Sequence, residues 1–554
     1  MKVLIVSLNS QYIHSSLAIW YLYASAKNMC DSKINLKVLE GTINEEVDDL
    51  YNRISQEKAD VVAFSVYIWN IKTVIILAQK IKKSNPDIKI VLGGPEVSYS
   101  SDKVLTENKF IDFVLLGEGE ETFPLLLNTI NNKEIYENIT ALSYRKKGKI
   151  ILGKPHISTN EPINPYCDEY LSSLKGRIAY LETSRGCPFS CAFCLSGRCG
   201  NVRCFNIDRA KSDIILLANS GSKIIKLVDR TFNANRKRAY EIFRFIIDNY
   251  GKEIPNDVCF HFEIAGDLLA DDDFELLKVA PQGLIQFEIG VQSFNEKTLK
   301  AVNRITNSEK LINNIKRLTE LKNIHTHIDL IAGLPFEDYK IFRKSFNIAY
   351  SLNADMLQLG FLKLLHGSSM RENIELFPLN FTNEPPYQVI DTPWLSDSDI
   401  AKLKACENAL DRFVNSGRFL LTINYIFNTL KYNPFDTLTE LGVFTGCDSC
   451  SLNEYVNKIY SFFSNKCDSQ KLRDCLICDV ASSVKNTVLP SSLIIYDKRL
   501  SNLKKMLETN PNTKKRKGVM RNVFLLYGKG CGAYVDYDKT EKGKYIVNKI
   551  DFQL

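Results

Sequence analysis

The sequence predicts an α/β protein in three parts: an N-terminal doubly wound, flavodoxin-like domain, a central partial (βα)6 barrel, and a mainly helical C-terminal domain. Two stretches, residues 1–140 and 176–370, alternate short apolar runs with helical periodicity. Alternation with short links builds parallel sheets covered on both faces. Beyond about Pro378 the strand-type runs give way to helical patterns until a short strand pair near the end.

In the first stretch the strands are Lys2–Ser7, Leu36–Leu39, Asp60–Tyr67, Lys89–Leu92 and Phe113–Leu116. Helical patterns cover Leu17–Lys27, Glu45–Ile54 and Val74–Lys83. Ligands of doubly wound sheets lie beyond the carboxyl ends of the strands. Residues 141–175 break the rhythm with Lys/Gly-rich turns and Pro155, Pro162 and Pro165, which predict a small hairpin and a linker. The central strands are Ile178–Glu182, Ile224–Val228, Cys259–Ile264, Leu284–Glu288, His327–Ile331 and Met356–Leu362. Helices over Ile207–Ala218, Arg238–Asp248 and Glu309–Leu321 separate some of them. Six such units fall short of a closed eightfold barrel, and its reactive groups belong at the strands' C-terminal ends. The region 371–554 reads as helices over Ile400–Asn415, Phe419–Leu430, Glu454–Phe463 and Leu500–Leu507, then strands Val523–Tyr527 and Tyr545–Asn548.

Composition excludes several classes. Hydrophobic residues make up 45% and charged residues 24%, the balance of a globular protein and not of a disordered or fibrous one. Lys+Arg 71 against Asp+Glu 64 leaves +7 over 554 residues, too mild an excess to point to a nucleic-acid partner. No stretch approaches the ~18 uninterrupted apolar residues of a membrane span. The run Val3–Val6 is too short for a secretory signal. A cytoplasmic protein without membrane contact is therefore expected. Fifteen cysteines, an odd count, point in a reducing compartment to metal or redox chemistry before disulfides.

The strongest chemical signal is Cys187-Pro188-Phe189-Ser190-Cys191-Ala192-Phe193-Cys194, directly after the first central strand. Three thiolates on one loop can hold three irons of a cubane cluster, which wants four ligands in all. The open iron could then bind an amine and a carboxylate. Gly186 and Pro188 suit a tight loop around a bulky core. The alternative is a structural zinc loop borrowing Cys199 or Cys204, against which the position at a barrel mouth weighs. In the N-terminal part, Gly93-Gly94-Pro95-Glu96 and Gly117-Glu118-Gly119-Glu120 follow adjacent strands. Paired glycines there let backbone approach a large ligand closely. Asn9, Ser65, Val66 and Tyr67 end the first and third strands on the same rim.

The Cys-x3-Cys-x2-Cys loop, with Phe193 before its third cysteine, resembles that of the radical S-adenosylmethionine (SAM) enzymes. The preceding Glu182-Thr183-Ser184-Arg185-Gly186 resembles the branch that carries an N-terminal cobalamin-binding domain. Further matches are Val228–Asn233, Phe287–Ser293 and Asp329–Pro335, at the ends of strands two, four and five, and the resemblance covers about residues 1–370. It implies that Cys187, Cys191 and Cys194 ligate a [4Fe–4S] cluster whose open iron chelates SAM. Phe193 would lie against the adenine, Glu288, Gly290, Val291 and Gln292 would line the methionine and ribose, and Ile331 would pack near the base. Reductive cleavage of SAM would give a 5′-deoxyadenosyl radical, the protein orienting the cofactors and keeping water out. Asp229 and Glu263 end strands at the same mouth and could serve substrate, ribose or structure. Gly93, Gly94, Pro95, Glu96, Gly117, Glu118 and Gly119 match the cobalamin-binding pattern, and Asn9, Ser65, Val66 and Tyr67 would touch the corrin.

Many cobalamin domains place a histidine below cobalt on an Asp-x-His-x-x-Gly loop. That loop is absent from this sequence, which has six His in all, and His14 reads as a loop or surface residue. The lower cobalt face would then meet Ser65, Val66 or Tyr67. The resemblance implies methyl transfer to an unactivated carbon of a small molecule or peptide, fed by a reductant such as flavodoxin or ferredoxin. The competing readings are radical rearrangement or oxidation without methyl transfer, tRNA methylthiolation, and a non-catalytic cofactor sensor. No individual catalytic residue is assigned. In the C-terminal region, Cys447-x2-Cys450 and Cys475-x2-Cys478 have zinc-like spacing, but the second pair falls in a helical pattern and reads as packing thiols. Lys514-Lys515-Arg516-Lys517 reads as a solvated turn.

Overall fold

The structure is a computed structural model that describes all residues except 131–135, 200, 486–487, 496, 510–522, 542 and 551–554. The basic run Lys514–Lys517 lies outside the described residues. By internal contact the chain forms two compact units. The first comprises Met1–Glu337, Leu352–Ala354 and Phe361–Trp394; the second comprises Asp338–Ser351, Asp355–Gly360 and Leu395–Leu554.

The first unit holds two sheets. Strands β1 (Lys2–Asn9), β2 (Asn35–Thr42), β3 (Val61–Ser65), β4 (Lys89–Gly93) and β5 (Phe113–Leu115) are parallel in the order β2-β1-β3-β4-β5. That is the doubly wound order with a switch point between β1 and β3. All five residues of β3 are buried, and so are seven of eight in β1. A strand covered on both faces must be apolar throughout, so such runs carry no alternation. The hairpin expected near residue 144 forms as β6 (Leu142–Lys146) and β7 (Lys149–Ile151), turned by Lys147 and Gly148 at φ 50° and 79°. Two consecutive positive φ values suit the tight twist of a two-residue hairpin loop. It does not stand apart: β6 pairs antiparallel with β5 and extends the first sheet to seven strands.

The second sheet begins with β8 (Ala179–Leu181). A two-stranded ladder, β9 (Ser184–Arg185) with β10 (Arg203–Cys204), then brackets the cysteine loop. Strands β11 (Ile224–Leu227), β12 (Cys259–Ile264), β13 (Ile285–Gln292) and β14 (His325–Ala332) follow, all parallel, in the order β8-β11-β12-β13-β14. Burial alternates strictly along β12 and β13. One face carries Phe260, Phe262 and Phe287, which meet Phe243 edge-on at 5.1 and 5.5 Å from Phe262 and Phe287. The other face carries His261, Glu263, Gln286 and Glu288. The last expected strand forms as Met356–Phe361, and Leu362 N–H donates to the Ala332 carbonyl at the end of β14.

The second unit is mainly helical, with helices over Asp397–Ala409, Pro434–Thr445, Leu452–Phe463, Ser469–Ser483 and Lys498–Thr509. The helical patterns at 400–415 and 419–430 both end in wider π-type turns, Leu410–Asn415 and Asn424–Thr429. The terminal strand pair is corrected to a three-stranded antiparallel sheet: Val523–Leu526, Cys531–Glu541 and Lys544–Ile550. Its middle strand escaped because Gly532 and the Asp/Lys residues depress strand propensity there, while pairing on both sides overrides it.

Candidate functional site

The cysteine loop leaves β8 at its carboxyl end. Its entrance is held by Asp229, which is buried and accepts from Thr183 N at 2.9 Å, Thr183 Oγ1 at 2.7 Å and Ser184 Oγ at 2.5 Å. Burial raises the Asp229 carboxyl, and these donors oppose the rise. Of the roles open to Asp229, its contacts are structural. Gly186 turns the chain at φ 93°. Farther along, Ala192 donates its N–H to Val302 O at 2.9 Å and accepts from Met370 N at 2.8 Å, so the loop is pinned from two sides.

Each sulfur has a polar neighbour. Cys187 Sγ lies 3.4 Å from Thr231 Oγ1, Cys191 Sγ lies 3.9 Å from Arg304 Nη1, and Cys194 Sγ accepts from Ser196 N at 3.4 Å. Burial pushes the Cys191 thiol up, and Arg304 counters it. N–H and O–H groups around sulfur suit thiolate ligands of a charged cluster. Among the described residues no three His, Cys, Asp or Glu side chains gather to hold a single ion. Cys204 is exposed on β10, and the side chain of Cys199 lies outside the described residues.

The inner face of the second sheet is a belt of charge. Lys226 Nζ lies 3.0 Å from Glu288 Oε2, which is also 3.0 Å from His261 Nε2. Glu263 lies farther from its charged neighbours, 3.9 Å each from Lys226 and Arg230. His327 Nε2 lies 2.9 Å from Asp329 Oδ1. The two histidine contacts are off the hydrogen-bonding direction, so those nitrogens have ionic neighbours without aligned bonds. Burial would raise Glu288, but His261 and Lys226 hold it down at about 2. Barrel interiors are usually filled by branched apolar side chains. A belt of half-buried charge is stable only with polar partners, and here Lys226, Glu288 and His261 supply them to one another.

Gln292 ends β13 at φ 68°, beside a register shift against β14 between Gly290 and Gln292. A side chain in the left-handed region at a strand end is strain of the kind that clusters at ligand sites. Arg304 Nη2 donates to Gly290 O at 2.5 Å, so the same guanidinium links the Gly290 strand end to Cys191. Val291 is buried in the opposite face, while Gly290, Gln292, Ile331 and Phe193 are half-buried.

The rim of the first sheet carries exposed large side chains at the ends of three strands: Tyr12 and Ile13 after β1, Trp69 after β3 and Tyr99 after β4. Tyr67 stacks on Trp69 at 4.4 Å with an interplanar angle of 4°. A flat, exposed apolar rim fits a large planar ligand such as a corrin. Two of these glycines also make close backbone approaches within the chain. A Cβ at Gly94 (φ 117°) would strike the Val66 backbone, and one at Gly117 (φ 78°) would strike His156. Both admit the chain's own backbone; Gly93 alone of these has ordinary clearance, with Leu115 O 3.7 Å from its Cβ position. Val66 N–H donates to Gly93 O at 2.7 Å, and Ser65 is buried behind it. Pro95 and Glu96 open a short helix, with Glu96 accepting from the Tyr387 hydroxyl. Asn9 donates to Glu40 at 2.8 Å and His14 O at 2.9 Å, so its amide serves the network around buried Arg177. His14 Nδ1 lies 2.8 Å from Tyr180 OH, as befits a satisfied loop histidine.

Glu118 and Glu120 turn away from the rim to Arg185 and Arg203, which flank the cysteine loop. Arg185, Arg203, Arg304, Thr231, Lys226, His261 and His327 were missed as site residues. Polar residues at alternate positions of Cys259–Ile264 were the readable signal for the belt; nothing local marks the arginines.

In the C-terminal cysteine pairs, burial pushes Cys475 up to about 11 and Cys478 up to about 12, both within Ser469–Ser483. Cys447 is exposed, and Arg412 touches Cys450 Sγ. No zinc-type grouping forms among the described residues.

Comparison with known proteins agrees with this layout. The B12 binding domain family model matches residues 3–127, the radical SAM superfamily model 181–348, and a protein of unknown function model (DUF4080) 375–523. The chain is 27% identical over 301 residues to 2-(S-pantetheinyl)-carbapenam-3-carboxylate methyltransferase of Streptantibioticus cattleyicolor, 51% of this chain and 44% of that one. It is 24% identical over 393 residues to the cobalamin-dependent radical SAM methyltransferase TokK of Streptomyces tokunonensis, 67% of this chain and 57% of that one. The chain thus spans about half the length of these relatives. The anaerobic magnesium-protoporphyrin IX monomethyl ester cyclase of Rubrivivax gelatinosus is 25% identical over 326 residues, 56% of this chain and 57% of that one. Among solved structures, the cobalamin-dependent SAM radical enzyme OxsB with aqua-cobalamin and SAM bound shares the fold at TM-score 0.60 and 14% identity, covering 93% of this chain and 81% of that one. The radical SAM methyltransferase TsrM of Kitasatospora setae, with cobalamin and a [4Fe-4S] cluster, does so at 0.56 and 16%, covering 67% and 73%. In chain order the matches are thus a B12 binding domain, a radical SAM domain and a DUF4080 domain.

Proposed function

We propose that this protein is a cobalamin-dependent radical SAM methyltransferase acting on an unactivated carbon of a small molecule or peptide. The carrying observation is a three-thiol loop, each sulfur beside an N–H or O–H group, at the mouth of a parallel sheet whose inner face is a belt of charge. When bound, the cluster with SAM supplies a carbon-centred radical, and cobalamin supplies a methyl group.

Cys187, Cys191 and Cys194 hold the cluster, and Asp229 fixes the turn that presents them. Phe193, Glu288, Gly290, Gln292 and Ile331 hold SAM at the β13–β14 end, with Val291 packed on the other face of the strand beneath them. Glu288 stays ionised because Lys226 and His261 face it, so it can accept from SAM's amino or hydroxyl groups. Ser65, Val66, Tyr67, Gly93, Gly94 and Pro95 form the corrin rim, with Trp69 extending it. Glu263, His327 and Asp329 remain for substrate, which favours a polar small molecule, in keeping with the methyltransferase relatives. A flavodoxin- or ferredoxin-type donor supplies electrons in the cytoplasm. The working division is 1–140 for cobalamin, 141–175 for the hairpin and linker, 176–370 for SAM chemistry and 371–554 for a helical domain tied to specificity.

The cyclase match keeps radical oxidation without methyl transfer as the competing reading. Anaerobic reconstitution with iron, sulfide and hydroxocobalamin, then reductant, candidate substrate and methyl-labelled SAM, separates them. Methyl transfer yields S-adenosylhomocysteine and 5′-deoxyadenosine together with labelled product. Deoxyadenosine alone, with unlabelled oxidised product, sinks the methyltransferase reading. Neither nucleoside, from protein carrying a full cluster, sinks the enzyme.

A further inference from the structure

The cysteine loop is bracketed by two arginines that face each other across the β9–β10 ladder, Arg185 two residues before Cys187 and Arg203 nine after Cys194. Like charges paired across strands repel. Here both reach the loop after β5. Arg185 Nη2 lies 2.5 Å from Glu120 Oε1 and 2.9 Å from Glu182 Oε2, and its Nη1 lies 3.4 Å from Glu118 Oε2. Arg203 Nη1 donates to Glu118 Oε2 at 3.1 Å, and Nη2 also grips Glu118. Glu118 accepts a further bond from Ser158 N at 3.0 Å. Burial would raise the Glu118 carboxyl, but Arg203 and Arg185 hold it below the usual range. The side chains of Arg185, Glu118, Glu120 and Glu182 are each no more than 16% exposed, and the Arg185 guanidinium lies 5.0 Å from the Tyr21 ring centre.

We propose that Glu118 and Glu120, with Arg185 and Arg203, form a latch that sets the distance between the rim of the first sheet and the cysteine loop. They act as positioning residues, because each end of the loop is tied to one segment of the first domain. Charge-assisted, bidentate pairs shielded from water hold geometry better than exposed ones. Methyl transfer needs two cofactors at a fixed separation, since displacement by about 1 Å can lower rates ~100-fold. This inference rests on the two-cofactor reading above.

The test uses the full chain reconstituted with iron, sulfide and hydroxocobalamin, as wild type, Arg203→Met and Glu120→Gln. Iron and cobalamin content are measured first. After reduction, the distance distribution between cob(II)alamin and the reduced cluster is read by pulsed electron paramagnetic resonance. The expected result is a narrow distribution in wild type and a broadened or shifted one in both variants, each retaining both cofactors. Methylated product per SAM cleaved should drop about tenfold while SAM cleavage itself persists. An unchanged distribution in the variants overturns the latch. So does loss of cobalamin from either variant with its cluster intact, which would make these groups cofactor ligands. Wild type that takes up no cobalamin or no cluster fails the functional reading instead. Should Arg203→Met fold poorly, Arg203→Lys gives the same readout, because a point charge cannot reproduce the two-pronged grip.

Discussion

Gly94 shows how one missing Cβ governs the rim. Its φ of 117° and its contact with the Val66 backbone leave no room for a side chain. Gly94→Ala is expected to destabilise the fold by roughly 1–3 kcal/mol from backbone strain alone, read as a lower midpoint in chemical denaturation. A second single-residue effect concerns acid. Burial, with Arg371 and Lys103 nearby, pushes His366 down to about 4. A histidine kept neutral in the fold binds its proton more readily once unfolded. Its contribution is therefore intact above about 6.5 and is lost as pH falls from there through 4. His366→Phe should flatten the fall in stability between pH 6.5 and 4; an unchanged slope would show that another group carries it.

At the scale of elements, the cysteine loop is a strand end, a glycine turn and two backbone anchors in sequence. Cys191→Ala should lose the cluster and SAM cleavage together, seen as loss of iron and of visible absorbance. A full complement of iron in that variant would remove Cys191 from the ligand set. Asp229→Ala removes three accepted bonds at the loop entrance and leaves buried donors unpaired, at roughly 1–3 kcal/mol. It should therefore lower both iron uptake and thermal stability. The strands were legible because burial on both faces, or on one, leaves continuous or alternating apolar patterns. The hairpin was legible as a hairpin, yet its place on the first sheet was not, because edge pairing with β5 is a contact between segments about 30 residues apart.

For the whole molecule, the C-terminal cysteines give a separable test. With Cys478 buried and Cys475 half-buried in one helix, both thiols raised by burial, reconstituted protein should contain about four irons, the content of one cubane, and no zinc. Cys475→Ser/Cys478→Ser should leave that content unchanged while lowering stability. Iron or zinc beyond one cluster that vanishes in this variant would reinstate a second metal site. The sequence alone determined the alternating architecture and the three-thiol loop, since each is written in neighbouring residues. The direction in which Glu118 and Glu120 face was decided only by tertiary structure. In the sequence they are acidic residues of a glycine loop, and Arg185 and Arg203 lie 65 and 85 positions from Glu120 and Glu118. Charges pair across such separations only when two sheets are brought together and water is excluded, and no local pattern encodes that.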